Sequence, residues 1–195
     1  MSYYSPDELS ALGLARFGDD VRISKKASLY NPGRIAVGNH VRIDDFCVLS
    51  AGEGGIEIGD YVHIAVFCSL MGAGKICLAD FSGLSSRVAI YSSNDDYSGA
   101  FLTNPTVPAR FTGVVSGDVI VGKHVIIGAG SVILPGLALE EGVSVGALSL
   151  VTKNCASFGM YFGAPARRIG ERKRDLLELE RQLRQEGCGE PGEER

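Results

Sequence analysis

Three histidines are the side chains of this sequence best suited to proton transfer near neutral pH. His40 and His124 each follow a short polar turn sequence, where we expect ordinary surface residues. His63 differs because it stands between Val62 and Ile64. In an extended strand it would face the opposite side from both apolar neighbours. His63 is therefore the first candidate for an imidazole base, and a plain histidine at a subunit interface is the alternative.

Two adjacent acids, Asp95 and Asp96, form the second candidate site for acid–base chemistry. They lie in a polar stretch, residues 91–118, that contains no histidine. Two like charges this close would raise the pKa of one carboxyl group if a cleft buried them. We also expect one of them to orient the imidazole of His63. The competing interpretation is a loop tip with two solvated acids.

The composition predicts one folded domain. The chain has 195 residues, 22% of them charged, and a mean hydropathy of +0.13, which excludes disorder as the main state. No apolar run reaches about 18 residues, so we expect no transmembrane segment. The first ten residues lack the pattern of a secretory signal, so we expect a cytoplasmic protein. A net charge of −4 argues against a nucleic-acid partner.

A six-residue repeat of apolar side chains determines the expected fold. Near the C-terminus the repeat is unbroken, and its members are Val121, Ile127, Ile133, Leu139, Val145 and Val151. Upstream it continues in triplets, which are Val37, Ile43 and Leu49, then Ile58, Ile64 and Leu70, then Leu78, Leu84 and Ile90. Glycine-rich insertions follow two of these triplets, at 51–55 and 71–75. Insertions after every third hexamer indicate that three hexamers form one coil and that all insertions project from one corner.

These repeats predict an all-β solenoid of five to six coils over residues 21–155, with a long inserted loop at 91–118. Each repeat residue, and the residue two positions before it, should point into a core of stacked aliphatic side chains. Cys47 and Cys68 fall on such inward positions one coil apart. The chain has five cysteines and no C-x-x-C pair, so we expect small apolar residues rather than a redox or zinc site.

The two ends have different patterns. Ser5, Pro6 and Glu8 form a capping box that predicts a helix through about Leu14, within an N-terminal cap at 1–20. A closing segment and helix are expected over 156–187. In that region, 171–185 has the leucine spacing of an amphipathic helix that packs on its own or a neighbouring prism. Gly187 should end this helix, and residues 188–195 should form a mobile tail.

The repeat, followed by a closing element, resembles the hexapeptide-repeat acyltransferases. That element is Gly163-Ala164-Pro165-Ala166-Arg167-Arg168-Ile169. The resemblance implies a left-handed parallel β-helix with a C-terminal α-helix. The stretches 91–99 and 103–108 are similar to those of sugar acetyltransferases that serve bacterial surface polysaccharides, such as lipopolysaccharide.

The resemblance also implies an activity and a set of partners. It predicts a homotrimer in which acetyl-CoA lies along the C-terminal coils, with active sites between neighbouring prisms. A hydroxyl or an amine of a sugar, or of a nucleotide-linked sugar, would attack the thioester without a metal. Four turn residues would line the thiol arm, namely Gly128, Ala129, Gly146 and Ala147. Thr152, Lys153 and Arg167 would lie near the phosphates, and Asn94 and Tyr97 would bind sugar hydroxyls.

Two alternatives accompany this expectation. Family members place a histidine in the long loop, near the position of Asp95, and this loop has none. A non-catalytic trimeric scaffold or partner-binding protein is therefore the alternative function. Zinc carbonic anhydrases share the prism, but they show two histidines five residues apart, a spacing that this sequence lacks.

Overall fold

The computed structural model describes residues 2–186. Its helices are α1 (Pro6–Ala11), α2 (Leu176–Glu186) and two 3-10 turns (Pro32–Arg34 and Ala109–Phe111). Its strands are β1 (Arg22–Ile23), β2 (Ser28–Tyr30), β3 (Ile35–Val37), β4 (Arg42–Ile43), β5 (Val48–Ala51), β6 (Ile56–Ile58), β7 (His63–Ile64), β8 (Ser69–Gly72), β9 (Ile76–Leu78), β10 (Gly83–Leu84), β11 (Ala89–Tyr91), β12 (Ser93–Asn94), β13 (Val115–Ser116), β14 (Val119–Val121), β15 (Ile126–Ile127), β16 (Val132–Ile133), β17 (Ala138–Leu139), β18 (Ser144–Val145), β19 (Leu150–Val151), β20 (Gly159–Phe162) and β21 (Arg167–Glu171).

The strands stack into three parallel sheets, and the chain visits the sheets in turn. The first face is β3-β6-β9-β14-β17, the second is β1-β4-β7-β10-β15-β18-β20, and the third is β2-β5-β8-β11-β16-β19. Ile127 pairs with Val145, three hexamers further along the chain. This pairing confirms the expected parallel β-helix with three hexamers per coil. Within residues 2–186 the second face has seven parallel strands, more than the five to six coils expected, because β20 adds a coil beyond the repeat.

The interior is a column of aliphatic side chains, as the repeat predicts. Repeat residues such as Ile64, Leu84 and Ile127 are almost completely buried. Cys47 and Cys68 are buried free thiols on the same inward column, as expected. Burying this apolar surface contributes about 25 cal/mol per Å², so the column stabilises the coils along their whole length.

The three corners of the prism differ in length. The short corner, between the second and third faces, has four residues in every coil: 24–27, 44–47, 65–68, 85–88, 128–131 and 146–149. The helix corner, between the first and second faces, also has four: 38–41, 59–62, 79–82, 122–125 and 140–143. The insertion corner, between the third and first faces, varies: 31–34, 52–55, 73–75, 92–118, 134–137 and 152–154. The expectation that all insertions share one corner is confirmed.

The N-terminal helix α1 begins as predicted. Ser5 and Glu8 form both hydrogen bonds of the capping box, and Pro6 is the first helical residue. The helix ends at Ala11, before the expected Leu14, because Leu12 already closes it with a bond to the Leu9 carbonyl.

The C-terminal helix α2 begins at Leu176 rather than near 171. Residues 167–171 form β21 instead, which pairs antiparallel with β20. The predicted stop at Gly187 and the tail at 188–195 lie outside the described residues. Neither described helix has the length and apolar character needed to cross a membrane.

The helix α2 packs on its own prism through charged side chains at the helix corner. Glu180 accepts from Lys123 at 2.6 Å, from His124 at 2.8 Å and from Arg184 at 2.6 Å. Burial opposes the charge of Glu180, but these hydrogen bonds outweigh it and lower its pKa to about 2. The prediction of His124 as a surface residue is wrong, because Glu180 and the neighbouring coils bury its side chain.

Candidate active site

His63 projects from the second face at strand β7. Its neighbour Ile64 is fully buried, so the imidazole points outward and is about half exposed (49%). Its Nε2 lies 2.9 Å from Oδ2 of Asp44, one coil below toward the N-terminus. Asp44 is nearly buried, and Arg42 donates from Nε to its other oxygen at 2.7 Å. Asp44 is therefore a fixed partner that orients the ring.

The charge of Asp44 is maintained despite its burial. Burial by itself would raise the pKa of this carboxyl, but the hydrogen bonds from Arg42 and His63 outweigh burial and lower it. The anion therefore favours the arrangement in which Nε2 of His63 carries a proton and donates it to Asp44. The other ring nitrogen, Nδ1, is then the one left to meet a ligand.

A notch opens beside His63 because the next strand has no side chain at the matching position. Gly83 pairs with His63 below and with Ile126 above. A Cβ added to Gly83 would meet only the Ile126 side chain, at 3.9 Å. The resulting hollow has a volume of about 270 Å³. Its remaining lining residues are Ala65, Leu84, Ser85 and Ser86.

The notch adjoins the short corner, where identical turns stack directly on one another. The pairs Ser85-Ser86, Gly128-Ala129 and Gly146-Ala147 occupy the same positions in successive coils. The first residue of each pair donates its N–H to the coil above at 2.8–2.9 Å. Within residues 2–186, the N–H of the second residue of each pair has no acceptor. Such a row of backbone donors on an edge of small side chains can hold carbonyl oxygens of an extended ligand or an oxyanion.

At Gly128 the stacked turns leave no room for a side chain. A Cβ on Gly128 would come within 2.5 Å of the Ala147 nitrogen. The glycine is therefore required for close approach of backbone to backbone. The structure brings together the four residues that the resemblance implies for the thiol arm.

The loop 92–118 at the insertion corner is folded at its base. Strands β12 and β13 pair antiparallel there, with Asn94 opposite Val115. Asp96 organises the loop tip by accepting hydrogen bonds from the hydroxyl and N–H of Ser98 and from the N–H groups of Gly99 and Phe101. These bonds, led by the Ser98 hydroxyl, lower the pKa of Asp96. The expectation of a raised pKa in this pair therefore fails for Asp96.

Asp95 has a different environment from its neighbour. Its single hydrogen bond within the described residues is the long contact from the Asn104 N–H, at 3.4 Å. The residue is exposed and borders two hollows of about 400 and 440 Å³ in the loop. Asp95 is therefore the loop carboxylate with lone pairs available to a ligand.

Asn94 and Tyr97 stand where the loop meets the third face. Together with Tyr91, Val132 and Leu134 they border a hollow of about 520 Å³. Tyr97 is 90% exposed, and its hydroxyl has no partner within residues 2–186. Both side chains are thus accessible from the same hollow.

Three more predicted ligand-binding residues lie at the C-terminal end of the prism. Thr152 and Lys153 belong to the insertion corner after β19, and Arg167 begins β21. Lys153, Arg167 and Arg168 border one hollow of about 180 Å³. Grouped cations of this kind suit phosphate groups. Strand β19 separates them from the turn at 146–149.

The structure does not bring His63 together with the loop acids. His63 lies on the second face, and Asp95 and Asp96 follow the third face. Strand β11 (Ala89–Tyr91) lies between the two corners, and the segment 87–93 that contains it would span at most roughly 20 Å at 3.3 Å per residue. Within one chain, Asp44 rather than Asp95 or Asp96 orients the ring of His63. That a loop acid of a neighbouring copy contacts His63 stays a prediction.

Comparisons with known proteins bear on this arrangement. No family model matches the chain. The dTDP-4-amino-4,6-dideoxy-D-glucose acyltransferase of Escherichia coli is 50% identical over 190 residues, which are 97% of this chain and 99% of the relative. This chain belongs to the hexapeptide-repeat sugar acyltransferases. It is an enzyme, which sets aside the alternative of a non-catalytic scaffold.

Two further relatives extend the comparison. The N-acyltransferase AntD of Bacillus cereus, in complex with dTDP and 3-hydroxybutyryl-CoA, has a TM-score of 0.93 and 46% identity, covering 96% of this chain and 99% of AntD. Other AntD structures hold dTDP-4-amino-4,6-dideoxyglucose and coenzyme A. The putative lipopolysaccharide biosynthesis O-acetyl transferase WbbJ of Escherichia coli K12 is 30% identical over 119 residues, 58% of this chain and 56% of WbbJ.

Several residues of this acyltransferase site escaped the sequence analysis. Asp44 and Ser85 occupy the same position of the short corner in two different coils. Gly83 occupies an outward-facing strand position, where no turn requires a glycine. Gly83 does not adopt a positive φ, so the repeat register could have identified it as a residue that creates space. Nothing in the register predicts the contact of Asp44 with His63.

Within residues 2–186, no three or more His, Cys, Asp and Glu side chains are grouped as metal ligands would be.

Proposed function

We propose that this acyltransferase transfers an acyl group from acyl-CoA to the amino group of a dTDP-linked 4-amino-4,6-dideoxy sugar. The observation that carries the proposal is the 50% identity with the Escherichia coli enzyme along almost the whole of both chains. The complexes of AntD with dTDP-amino sugar and coenzyme A support the same pairing of substrates.

The loop chemistry favours an amine over a hydroxyl as the acceptor. A hydroxyl must lose its proton as it attacks, which calls for a base with a pKa near neutrality. A neutral amine already has a free electron pair, and it becomes strongly acidic once it has attacked the thioester carbonyl. A carboxylate can accept that proton. The loop supplies carboxylates and no histidine.

We assign the proton acceptor to Asp95 rather than to Asp96. The oxygens of Asp96 already accept four hydrogen bonds from the loop, whereas Asp95 accepts a single long one. AntD variants crystallised with these ligands replace an aspartate or a serine ten positions before it. In the same part of this chain, Ser85 with Asp95 and Ser86 with Asp96 have that spacing. This match in spacing supports the pairing of a loop acid with the short corner.

The short corner would bind the thiol arm of CoA. The N–H groups of Ser86, Ala129 and Ala147, which have no acceptor among the described residues, would form a row of donors for the amide oxygens of the arm. The donor at Ser86, beside the notch, would hold the thioester oxygen as it becomes negative. Thr152, Lys153 and Arg167 would bind the phosphates as charge-assisted donors.

A neighbouring copy would complete the site. In one chain, strand β11 of the third face lies between the short corner and Asp95, so that one sugar amine would not meet both. In a homotrimer the loop of one prism would meet the short corner of the next. Asn94 and Tyr97 would then contact the sugar. The WbbJ relative supports a product used in a surface polysaccharide such as lipopolysaccharide.

The test is an assay of CoA release with three acceptors. The purified full-length protein is incubated with acetyl-CoA and with dTDP-4-amino-4,6-dideoxyglucose, dTDP-glucose or no sugar. We expect thiol release and an N-acyl product, identified by mass, with the amino sugar alone. Equal release with dTDP-glucose would contradict amine acylation, and release with no acceptor at all would contradict the transfer.

A further inference from the structure

We propose that the notch at Gly83 is the subsite for the acyl chain of the donor and that it selects, through His63, a short hydroxyacyl group such as the 3-hydroxybutyryl group of the CoA ester held by AntD. This inference rests on the proposed function, because it takes the thioester to lie at the short corner. It assigns His63 to the acyl group rather than to the amine.

The notch lies beside the row of turns that would bind the thiol arm. Ser85 and Ser86 line it, and they continue the row of turns that reaches up to Gly146-Ala147. A thioester whose oxygen is held by the Ser86 N–H has its acyl group directed off the corner. The second face, with Gly83, begins directly beside this turn.

The shape and lining of the notch suit a short acyl chain. Its floor and one wall are apolar, formed by Ala65, Leu84 and Ile126. A hollow of about 270 Å³ exceeds what the methyl group of an acetyl needs, so a chain of about four carbons has space there. Gly83 creates this space without any backbone requirement for glycine.

His63 adds one polar group to this apolar surface. Asp44 holds its Nε2, and Arg42 holds Asp44, so the ring is fixed. The remaining nitrogen, Nδ1, is then an acceptor for a hydroxyl on the acyl chain. A site built to bond a hydroxyl rejects the analogue without it, because the polar group would be left unpaired.

The test compares kcat/KM for acetyl-, butyryl- and 3-hydroxybutyryl-CoA with the same amino-sugar acceptor. The wild-type enzyme should prefer 3-hydroxybutyryl-CoA to butyryl-CoA by about tenfold. His63→Ala should bring this ratio close to one, because it removes the acceptor for the hydroxyl. Gly83→Val should lower use of both four-carbon donors by about tenfold relative to acetyl-CoA. Arg22→Ala is the matched control and should change neither ratio. Arg22 lies on the same face as His63, two coils below it.

Three outcomes would count against the proposal in different ways. If His63→Ala slows every donor by about a hundredfold, His63 acts as the general base and the acyl assignment is overturned. If Gly83→Val lowers all three donors equally, the notch does not hold the acyl chain, although the proposed function stands. If the wild-type enzyme uses no acyl-CoA with the amino sugar, the proposed function itself fails. Circular dichroism of each variant checks that the prism is folded.

Discussion

The short corner and the insertion corner of the same prism differ in how much their lengths vary from coil to coil. The short corner has four residues in every coil, and inward Cys or Ser side chains bond its carbonyls, as Cys68 does to Ser85 and Ser149 to Gly146. The insertion corner ranges from 73–75 to 92–118. A constant turn gives evenly spaced N–H donors, which suits a cofactor that many relatives share. A variable turn suits the recognition of one acceptor.

The largest expected effect comes from lengthening one turn of the short corner, whose length is otherwise constant. Inserting Gly-Ser-Gly between Ala129 and Gly130 should abolish CoA binding and destabilise the fold, because it breaks the stacked turns and their buried serines. The same insertion between Leu134 and Pro135 should leave CoA binding within about threefold, since that corner already varies. Calorimetric titration with CoA and thermal melts measure both. Equal loss from the two insertions would contradict the distinction between the corners.

The next effect separates the two adjacent acids of the insertion loop. Asp95→Asn should lower kcat by about a hundredfold with little change in thermal stability, because it removes a proton acceptor that holds little structure. Asp96→Asn should mainly raise KM for the sugar, because it weakens the bonds that shape the loop. Steady-state kinetics and melting curves of both variants decide this. A normal kcat in Asp95→Asn, with a low kcat in Asp96→Asn, would reverse the assignment.

The smallest effect concerns the helix corner, where α2 docks. The folded-state pKa of Glu180, about 2, lies below its ordinary 4.5. Its charge therefore stabilises the fold above about pH 4.5, and this stability is lost as the pH falls toward 2. Glu180→Gln should cost about 2 kcal/mol near pH 7 and flatten the loss of stability between pH 4.5 and 2. Denaturant unfolding across this range checks it, with the exposed Glu178→Gln as control.

The sequence was sufficient to predict the coils because a single side-chain period determines them. The six-residue register predicted the inward positions of Cys47 and Cys68 and the common corner of all insertions. The same register says nothing about contacts between side chains on successive coils, so Asp44 was not recognised as the partner of His63. The loop 92–118 has no period at all, so only the structure could separate Asp95 from Asp96.

The central claim is that the short corner of one copy and the loop of another form each active site. Two inactive variants test it: Asp95→Asn removes the proposed proton acceptor of the loop, and Ala129→Trp blocks the exposed edge of the short corner. Mixed one to one and reassembled, they should recover about a quarter of wild-type N-acyl transfer, because a quarter of the interfaces in randomly mixed trimers pair two intact halves. No recovery, in mixed trimers verified by mass spectrometry, would contradict the claim.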